Sequence, residues 1–435
     1  MLKNCARPAA AAGLAATLLM AVAPVPLLAQ TSDSSTKPAA EKAAGPTAWA
    51  DTLKVGGYLQ AGITFNPDDP PDRKISFGRL FDDRANQVLL NQAALVLERP
   101  IDPKSAEIDF GFKLHAIYGS DARYTHFLGE FDRLITDTNQ FDIVEANVQA
   151  HLPVLTAGGI DVKLGQFVTL MGAETIDPRT NYFYSHSYIF NFGIPLKHTG
   201  VLTTTHLPGD VDLYLGYTTG TNTWIGKDHG DNNGVGAFHG GVGLSFLDGN
   251  LTVLATTHIG PENPTRTFGA AANDHFRFYN DVVVTAKLGD ALTLVTDVNW
   301  VRDNLAKADG YGVAQYAIYK LNDQLSLAAR GEVWRDNNSF YVAQFVGNRD
   351  FVNFQRGLPL DDARSGITGG DATYGALTLG VNYKPAGLPS AFEGFVIRPE
   401  VRYDRTLNGR RPFDGFTSND QFTIGIDFIL PFSVL

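Results

Sequence analysis

The stretch Gln421–Phe432 reads QFTIGIDFILPF, and every second residue in it is large and apolar. The side chains of a β-strand point alternately to its two faces, so this order predicts a strand with one wholly apolar face. The apolar set is Phe422, Ile424, Ile426, Phe428, Leu430 and Phe432, which alternate with Thr423, Gly425, Asp427 and Ile429. A strand of this length crosses the hydrocarbon of a bilayer at a tilt.

The same alternation recurs in sixteen segments, an even number. They are 53–65, 87–98, 107–118, 140–151, 159–170, 199–207, 210–219, 236–247, 251–259, 276–288, 291–302, 311–321, 325–335, 372–384, 395–405 and 420–432. In 395–405, for example, Ile397 and Val401 share one face and Arg398 and Glu400 the other. A charged side chain facing lipid costs about 2–4 kcal/mol at the midplane, so we expect the ionisable faces to line an aqueous interior.

The links between these segments differ systematically in length. Links after even-numbered segments are short and rich in Gly, Asn and Asp, as in 102–104 and 321–323, whereas those after odd-numbered segments are mostly long, as in 66–86 and 336–371. This asymmetry predicts an all-β transmembrane antiparallel up-and-down β-barrel of about 16 strands with long extracellular loops and short periplasmic turns. A periplasmic β-sandwich is the alternative, in which the apolar faces would pack against a second sheet.

Residues 1–29 have the pattern of a signal peptide that directs export and is then cleaved. Lys3 and Arg7 are basic, an alanine-rich apolar stretch follows, and a small residue precedes the expected cleavage site. An uncleaved membrane anchor is the alternative. The only cysteine, Cys5, would leave with the leader, so disulfides and cysteine chemistry are excluded from the mature chain.

The composition after the leader indicates an exported β-rich chain. Residues 30–50, rich in Ser, Thr, Ala, Lys and Pro, predict a disordered periplasmic tether, followed by the barrel over 51–435. The formal net charge is −11, and loss of Lys3 and Arg7 makes it −13. This acidic balance argues against nucleic acid as a partner, because nucleic-acid binding needs a basic face.

The third long link, 171–198, is unusually aromatic for a loop. It is dense in aromatic rings, from Tyr182, Phe183, Tyr184, His186, Tyr188, Phe190 and Phe192. Such a loop is a poor match for open water, which favours its folding into the barrel. Glu174, Asp177, Arg179 and Lys197 would then line a constriction with Tyr182, Tyr184 and His186. The alternative is a rim loop that packs on neighbouring loops or on a partner subunit.

Five arginines in the second half of the chain are predicted to project predominantly toward the lumen. They are Arg277, Arg302, Arg330, Arg398 and Arg402. A row of guanidinium groups facing an acidic loop would set up a transverse field and favour passing anions. Acidic neighbours, among them Glu332 and Asp404, leave structural ion pairs as the alternative role.

The sequence predicts no cofactor, no metal site and no catalytic residue. Segment 228–234 is rich in Asp and Asn but lacks the EF-hand spacing, and the ten histidines show no paired helical spacing. There is no G-x-S-x-G nucleophile motif.

Seven short blocks, in this order along the chain, resemble the OmpL-like family called putative β-barrel porin 2. They are Phe77–Asp82, Leu90–Ala93, Glu98–Pro100, Tyr118–Ala122, Lys163–Phe167, Asn181–Ser187 and Lys197–Gly200. The resemblance implies a channel in the outer membrane, in contact with its lipid and lipopolysaccharide. One departure is that Ser433–Leu435 follow the aromatic Phe432, whereas the assembly signal of such barrels ends on the aromatic residue.

Together these features predict an outer-membrane porin that lets small hydrophilic solutes or ions diffuse passively through a lumen narrowed by the third loop. A homotrimer is expected only by analogy with porins of this size. A plugged structural or adhesive barrel and an outer-membrane barrel enzyme remain as alternatives.

Overall fold

A computed structural model describes residues 49–71, 75–132, 138–226, 230–342 and 371–434. The predicted signal peptide and almost all of the predicted tether lie outside the described residues, as does most of the long link 336–371. The described chain contains sixteen strands: Lys54–Phe65 (β1), Val88–Arg99 (β2), Asp109–Gly119 (β3), Gln140–Leu152 (β4), Ile160–Val168 (β5), Lys197–Leu207 (β6), Val211–Thr218 (β7), Ala237–Phe246 (β8), Leu251–Gly260 (β9), Arg277–Leu288 (β10), Leu292–Asp303 (β11), Ala308–Lys320 (β12), Leu325–Asp336 (β13), Ala372–Tyr383 (β14), Val396–Thr406 (β15) and Asp420–Ser433 (β16).

Each strand pairs antiparallel with its neighbours in the chain, and β1 also pairs with β16, so the sheet closes into a barrel. At the closure Ile63 of β1 lies opposite Ile426 of β16. The predicted sixteen-strand up-and-down barrel is therefore confirmed. The one strand end more than two residues from its prediction is the start of β12, at Ala308 rather than 311, because Ala308–Gly310 continue the ladder opposite β11.

The lipid-facing and inward-facing residues alternate as the sequence predicts. On β16, Phe422, Ile424 and Phe428 are exposed on the outer face, whereas Thr423 and Asp427 are buried. Burial here means contact with the barrel interior, since the outer surface is open in the isolated chain. The terminal strand thus has the apolar outer face that hydrocarbon requires.

The interior is less uniformly polar than the strand faces alone suggest. An apolar cluster inside the barrel joins Phe81 and Phe190 from the loops to Tyr316, Trp334 and Tyr374 from the wall. Aromatic side chains bury a large apolar area, so loops that contain them are more stable in the interior than in water. Part of the lumen is consequently packed with loop residues.

The remaining elements are single turns. Short α-helices span Ala122–Thr125, Thr265–Phe268 and Ala271–Asp274; 3-10 helices span Trp49–Thr52, Pro178–Thr180 and Ser390–Phe392; a π-helical turn spans Ile189–Gly193. Among the described residues, no helix has both the length and the apolar character needed to cross a membrane.

Candidate functional site: the loop inside the barrel

Residues 169–196, called loop 3 here, leave β5 and return to β6 but bond to strands on the far side of the barrel. The backbone N–H of Gly172 donates to Asp281 of β10, and that of Ala173 donates to Asp297 of β11, both at 2.9 Å. Asn299 of β11 donates to the carbonyl oxygen of Gly193 at 3.0 Å. The start of the loop is therefore fastened to β10 and β11, and its end is fastened to β11.

Arginines of β13 and β15 hold the middle of loop 3 by its carbonyl oxygens. Arg330 donates to the carbonyl oxygen of Ser185 at 2.8 Å, and Arg398 donates to those of Pro178 and Asn181 at 2.9 and 2.6 Å. Arg402 likewise donates to the carbonyl oxygen of His186 at 2.5 Å. Guanidinium groups supply several donors in a fixed plane, so each can bind a loop carbonyl and a carboxylate together.

Carboxylates of the same two strands receive the loop's backbone N–H groups. Glu400 of β15 accepts from Tyr184 at 2.9 Å, and Glu332 of β13 accepts from Tyr188 at 2.7 Å. Arginines and acids thus alternate on the inner wall of β13 and β15. The carbonyl oxygens of loop 3 accept hydrogen bonds from the arginines, and its backbone N–H groups donate to the acids. This polar lining satisfies backbone groups that would otherwise be buried without partners.

Loop 3 reaches toward the periplasmic end of the barrel. Asn382, the penultimate residue of β14, donates to the carbonyl oxygen of Tyr182 at 2.9 Å. Because β14 runs toward a periplasmic turn, this contact places the tip of the loop in the periplasmic third of the wall.

Of the loop residues that the sequence singles out, Glu174, Tyr184 and His186 are buried. Glu174 pairs with Arg330 at 2.6 Å, the Tyr184 hydroxyl donates to the side-chain oxygen of Asn91 at 3.1 Å, and the His186 ring stacks on Phe190 at 4.3 Å between centroids. These side chains fasten the loop and do not face open water in this structure. The sequence predicts that these three side chains line a constriction, but in this structure each is covered by wall or loop residues.

Lys197, predicted as a constriction residue, is the first residue of β6 and is fully buried. Its ammonium group pairs with Asp142 of β4 at 2.7 Å and lies over the ring of Phe127. It therefore ties the wall of β6 to β4 at the extracellular end.

Four of the five arginines project inward, as predicted, but each is buried in an ion pair. The pairs are Arg277 with Asp303 at 2.8 Å, Arg330 with Glu174 at 2.6 Å, Arg398 with Asp427 at 2.5 Å and Arg402 with Asp404 at 2.8 Å. Loop 3 covers the last three. The alternative role of structural ion pairing therefore describes these side chains.

The prediction for Arg302 is wrong, because its side chain lies on the outer face of β11. Its neighbours on that face, Val298 and Trp300, are exposed, whereas Val301 and Asp303 on the other face are buried. Arg302 pairs with Asp309 at 2.6 Å, close to the extracellular end of the strand. A charge is tolerated there because the strand end reaches the membrane interface, where the cost of facing outward is small.

One short part of loop 3, residues 175–182, presents several side chains to solvent. Arg179 and Tyr182 are exposed, and Asp177 is half-buried beside Arg179. Arg179 and Asp177 form a bidentate pair, and the guanidinium lies over the ring of Tyr58 at 4.5 Å. Asp177, Arg179 and Tyr182 are thus the only residues of loop 3, among those predicted from the sequence, whose side chains face open space.

The same part of the loop borders a cavity of about 300 Å³ at the periplasmic end of the barrel, called the vestibule here. Its charged lining is Lys54 of β1, Glu98 of β2, Lys113 of β3, and Asp177 and Arg179 of loop 3. Lys113 pairs at 2.5 Å with Glu145, which lies behind it and is almost completely buried. Lys54 and Glu98 were not predicted as site residues from the sequence, although their inward positions near strand ends follow from the alternation.

The described residues of loop 1, 66–71 and 75–87, cover loop 3 from the extracellular side. Phe81 packs edge-on against His186 and Phe190, with ring centroids 4.9 and 5.5 Å away. Arg79 pairs with Asp404 of β15 at 2.8 Å. Loops 1 and 3 are thus fastened to the same strand.

A closed barrel with an apolar outer face and charged loops folded inward is typical of outer-membrane porins. The family profile described as putative beta-barrel porin-2, OmpL-like, matches residues 52–432, and the chain belongs to this family. A comparison with curated protein sequences gives no significant match.

Solved structures with the same fold are outer-membrane proteins, among them a channel and a porin. The outer membrane channel DcaP of Acinetobacter baumannii is 11% identical with a TM-score of 0.52, covering 87% of this chain and 97% of its own. The anion-selective porin from Comamonas acidovorans is 10% identical with a TM-score of 0.52, and the trimer form of OmpT from Vibrio cholerae is 14% identical with a TM-score of 0.51. Each of these two covers 87% of this chain and 99% of its own.

Proposed function

We propose that this porin lets small hydrophilic solutes or ions diffuse passively through a lumen narrowed by loop 3, with no cofactor. The observation that supports this most is the position of the loop, which bonds to β10, β11, β13, β14 and β15 while its Asp177 and Arg179 line an open cavity. A loop fixed at so many points sets the width of the passage beside it.

We infer that the charge filter lies at the vestibule and not at the buried arginines. The most accessible charged side chains there are Lys54, Arg179 and Lys113, with exposed fractions of 64, 38 and 30%. The lining has two acids against three cations, and the acids are no more accessible, at 29% for Glu98 and 24% for Asp177. An excess of water-facing cations favours a passage with a modest preference for anions.

The test is planar-bilayer recording of the refolded full chain under a KCl gradient. Discrete conductance steps with a reversal potential on the anion side are the expected result. A reversal potential on the cation side would refute the filter but leave the pore. A correctly folded barrel that stays silent would refute the porin proposal.

A second candidate is a plugged structural or adhesive barrel. The apolar packing of Phe81, Phe190, Trp334 and Tyr374 inside the lumen favours it. Silence of the folded barrel in the bilayer would support this candidate.

The remaining expectations concern export and assembly. We propose that residues 1–29 are removed as a signal peptide, that 30–50 form a periplasmic tether, and that the outer wall contacts outer-membrane lipid and lipopolysaccharide. A homotrimer is supported by likeness of fold to OmpT, which is described in a trimer form. Mass determination of the exported chain and its size in mild detergent test these points.

A further inference from the structure

Three histidines that are far apart in the chain form a buried cluster at the extracellular end of the barrel. His198 of β6, His239 of β8 and His258 of β9 are each fully buried. The ring centroid of His198 lies 4.3 Å from that of His239 and 4.7 Å from that of His258, and His239 and His258 lie 5.7 Å apart. These three residues are called the histidine cluster.

When the ring of His198 is neutral, its two hydrogen bonds define one tautomer. Its Nδ1 lies 3.2 Å from the carbonyl oxygen of Gly220, which only accepts, so Nδ1 bears the proton. Its Nε2, 3.1 Å from the hydroxyl of Thr169, is therefore the acceptor. Thr169 begins loop 3, and Gly220 lies at the start of loop 4, residues 219–236.

The other two rings bind the same two loop roots. His239 accepts at Nε2 from the backbone N–H of Leu170, the second residue of loop 3, at 3.4 Å. His258 Nε2 lies 3.2 Å from the hydroxyl of Thr218, the last residue of β7 before loop 4. A protonated His239 has no lone pair for Leu170, so proton uptake removes this attachment of loop 3.

The charged groups around the cluster do little to stabilise a protonated histidine. Glu262, in the loop after β9, has one carboxylate oxygen 3.6 Å from His258 Nδ1 and accepts from the backbone N–H of Thr221 at 2.7 Å. Burial raises the pKa of Glu262 to about 7, so this carboxylate loses its charge as the pH falls below that value. Two other charged residues lie near the cluster. Arg277, which is paired with Asp303, acts on His258, and Asp231 acts on Glu262.

We propose that the histidine cluster is an acid-sensitive latch that holds the roots of loops 3 and 4 while neutral and releases them when protonated. Three like charges within 6 Å in a buried site repel one another, and hydration in an opened state relieves that repulsion. The opened state therefore binds more protons, and stability of the closed state falls as the pH falls. The expected change in conductance rests on the proposed porin function; the release of the loop roots does not.

The test compares the wild-type chain with the double variant His239→Gln/His258→Gln by amide hydrogen exchange in micelles. Gln retains an acceptor near the position of Nε2 but does not titrate. His206→Gln is the matched control, because His206 is a titratable residue of β6 that pairs with Asp161 and Asp212 away from the cluster. Heat-modifiable electrophoretic migration verifies that each variant is folded.

Amide exchange is measured between about pH 7.5 and about pH 4.5 and corrected for its intrinsic pH dependence. As the pH falls, the corrected exchange rate over residues 169–196 and 219–226 should rise by up to about tenfold per pH unit for each proton taken up. The double variant should lose most of this rise, and His206→Gln should keep it. Equal responses in wild type and double variant, or no response in wild type, would overturn the latch.

Bilayer recording at the same two pH values separates the two proposals. A channel whose acid-induced change in conductance disappears in the double variant supports both. A folded barrel that never conducts but keeps its histidine-dependent exchange response supports the latch and refutes the pore. Conductance that responds to pH equally in all three proteins, without a histidine-dependent exchange response, refutes the latch alone.

Discussion

Arg330 of β13 and Glu174 of loop 3, 156 positions apart in the chain, form a buried ion pair with a nitrogen-to-oxygen distance of 2.6 Å. The same guanidinium donates to the carbonyl oxygen of Ser185, so one side chain holds two points of the loop. A charge that the sequence suggests as part of a filter is thus a fastening between the wall and the loop. The predictions below separate these two roles.

Arg330→Ala should loosen loop 3. Removing one partner of a buried pair leaves Glu174 without its ion-pair partner and costs about 3–5 kcal/mol in the docking of the loop. We expect larger, noisier single-channel currents and new protease cleavage within 169–196. Arg302→Ala, which removes an arginine from the outer face, is the control; identical currents and cleavage in the two variants would contradict the fastening role.

Arg179→Ala and Lys113→Ala should each shift the reversal potential toward cation preference. Both substitutions remove a water-facing positive charge from the vestibule and leave the loop contacts of Arg330, Arg398 and Arg402 in place. The measurement is bilayer recording under a KCl gradient. Arg405→Ala, which removes an exposed cation on the outer face of β15, should leave the potential unchanged. A shift in this control as large as in the vestibule variants would place the filter elsewhere.

Gly62→Ala should destabilise the docked loop even though it adds only one methyl group. A Cβ at Gly62 would lie 2.6 Å from the ring of Tyr184 and 2.9 Å from the Cβ of Asp427. Overpacking of this kind costs about 1–3 kcal/mol, and moving the ring also breaks its hydrogen bond to Asn91. Urea unfolding in micelles measures the loss.

Gly331→Ala on β13 is the matched substitution, since a Cβ there meets nothing within 4 Å. We expect it to leave stability almost unchanged. Equal midpoints for the two alanine variants would show that the contact between Gly62 and Tyr184 is not tight.

Ile426→Arg should impair insertion of the terminal strand. Ile426 lies near the middle of β16 on its outer face, and an arginine facing lipid at the midplane costs about 2–4 kcal/mol. Folding into phospholipid vesicles across a urea series measures this cost. Val434→Arg, just past the end of β16, should fold like the wild type; a normal folding yield for Ile426→Arg would contradict the assigned lipid face.

The strands were predictable because two local requirements coincide at every step of the barrel. The period of two is a property of the β backbone, and hydrocarbon on one side selects which phase is apolar. The inward prediction for Arg302 failed because Arg302 lies on the same outer face as Trp300. Near the strand end, the membrane interface tolerates a charge on that face. The start of β12 was placed too late because the small and polar residues Ala308–Gly310 resemble those of a turn, although they continue the strand.

The sequence by itself determined the barrel, its sixteen strands, its sidedness and the presence of an aromatic third loop, because each follows from neighbouring residues and from the solvent they face. Only the tertiary structure decided which charges meet. Whether Arg398 faces water or binds Asp427 and two loop carbonyls depends on where a loop from β5 comes to rest. The histidine cluster arises in the same way. The register of the neighbouring pairs β6–β7, β7–β8 and β8–β9 brings the three histidines to the same level of the wall, and the alternation within each strand does not specify that register.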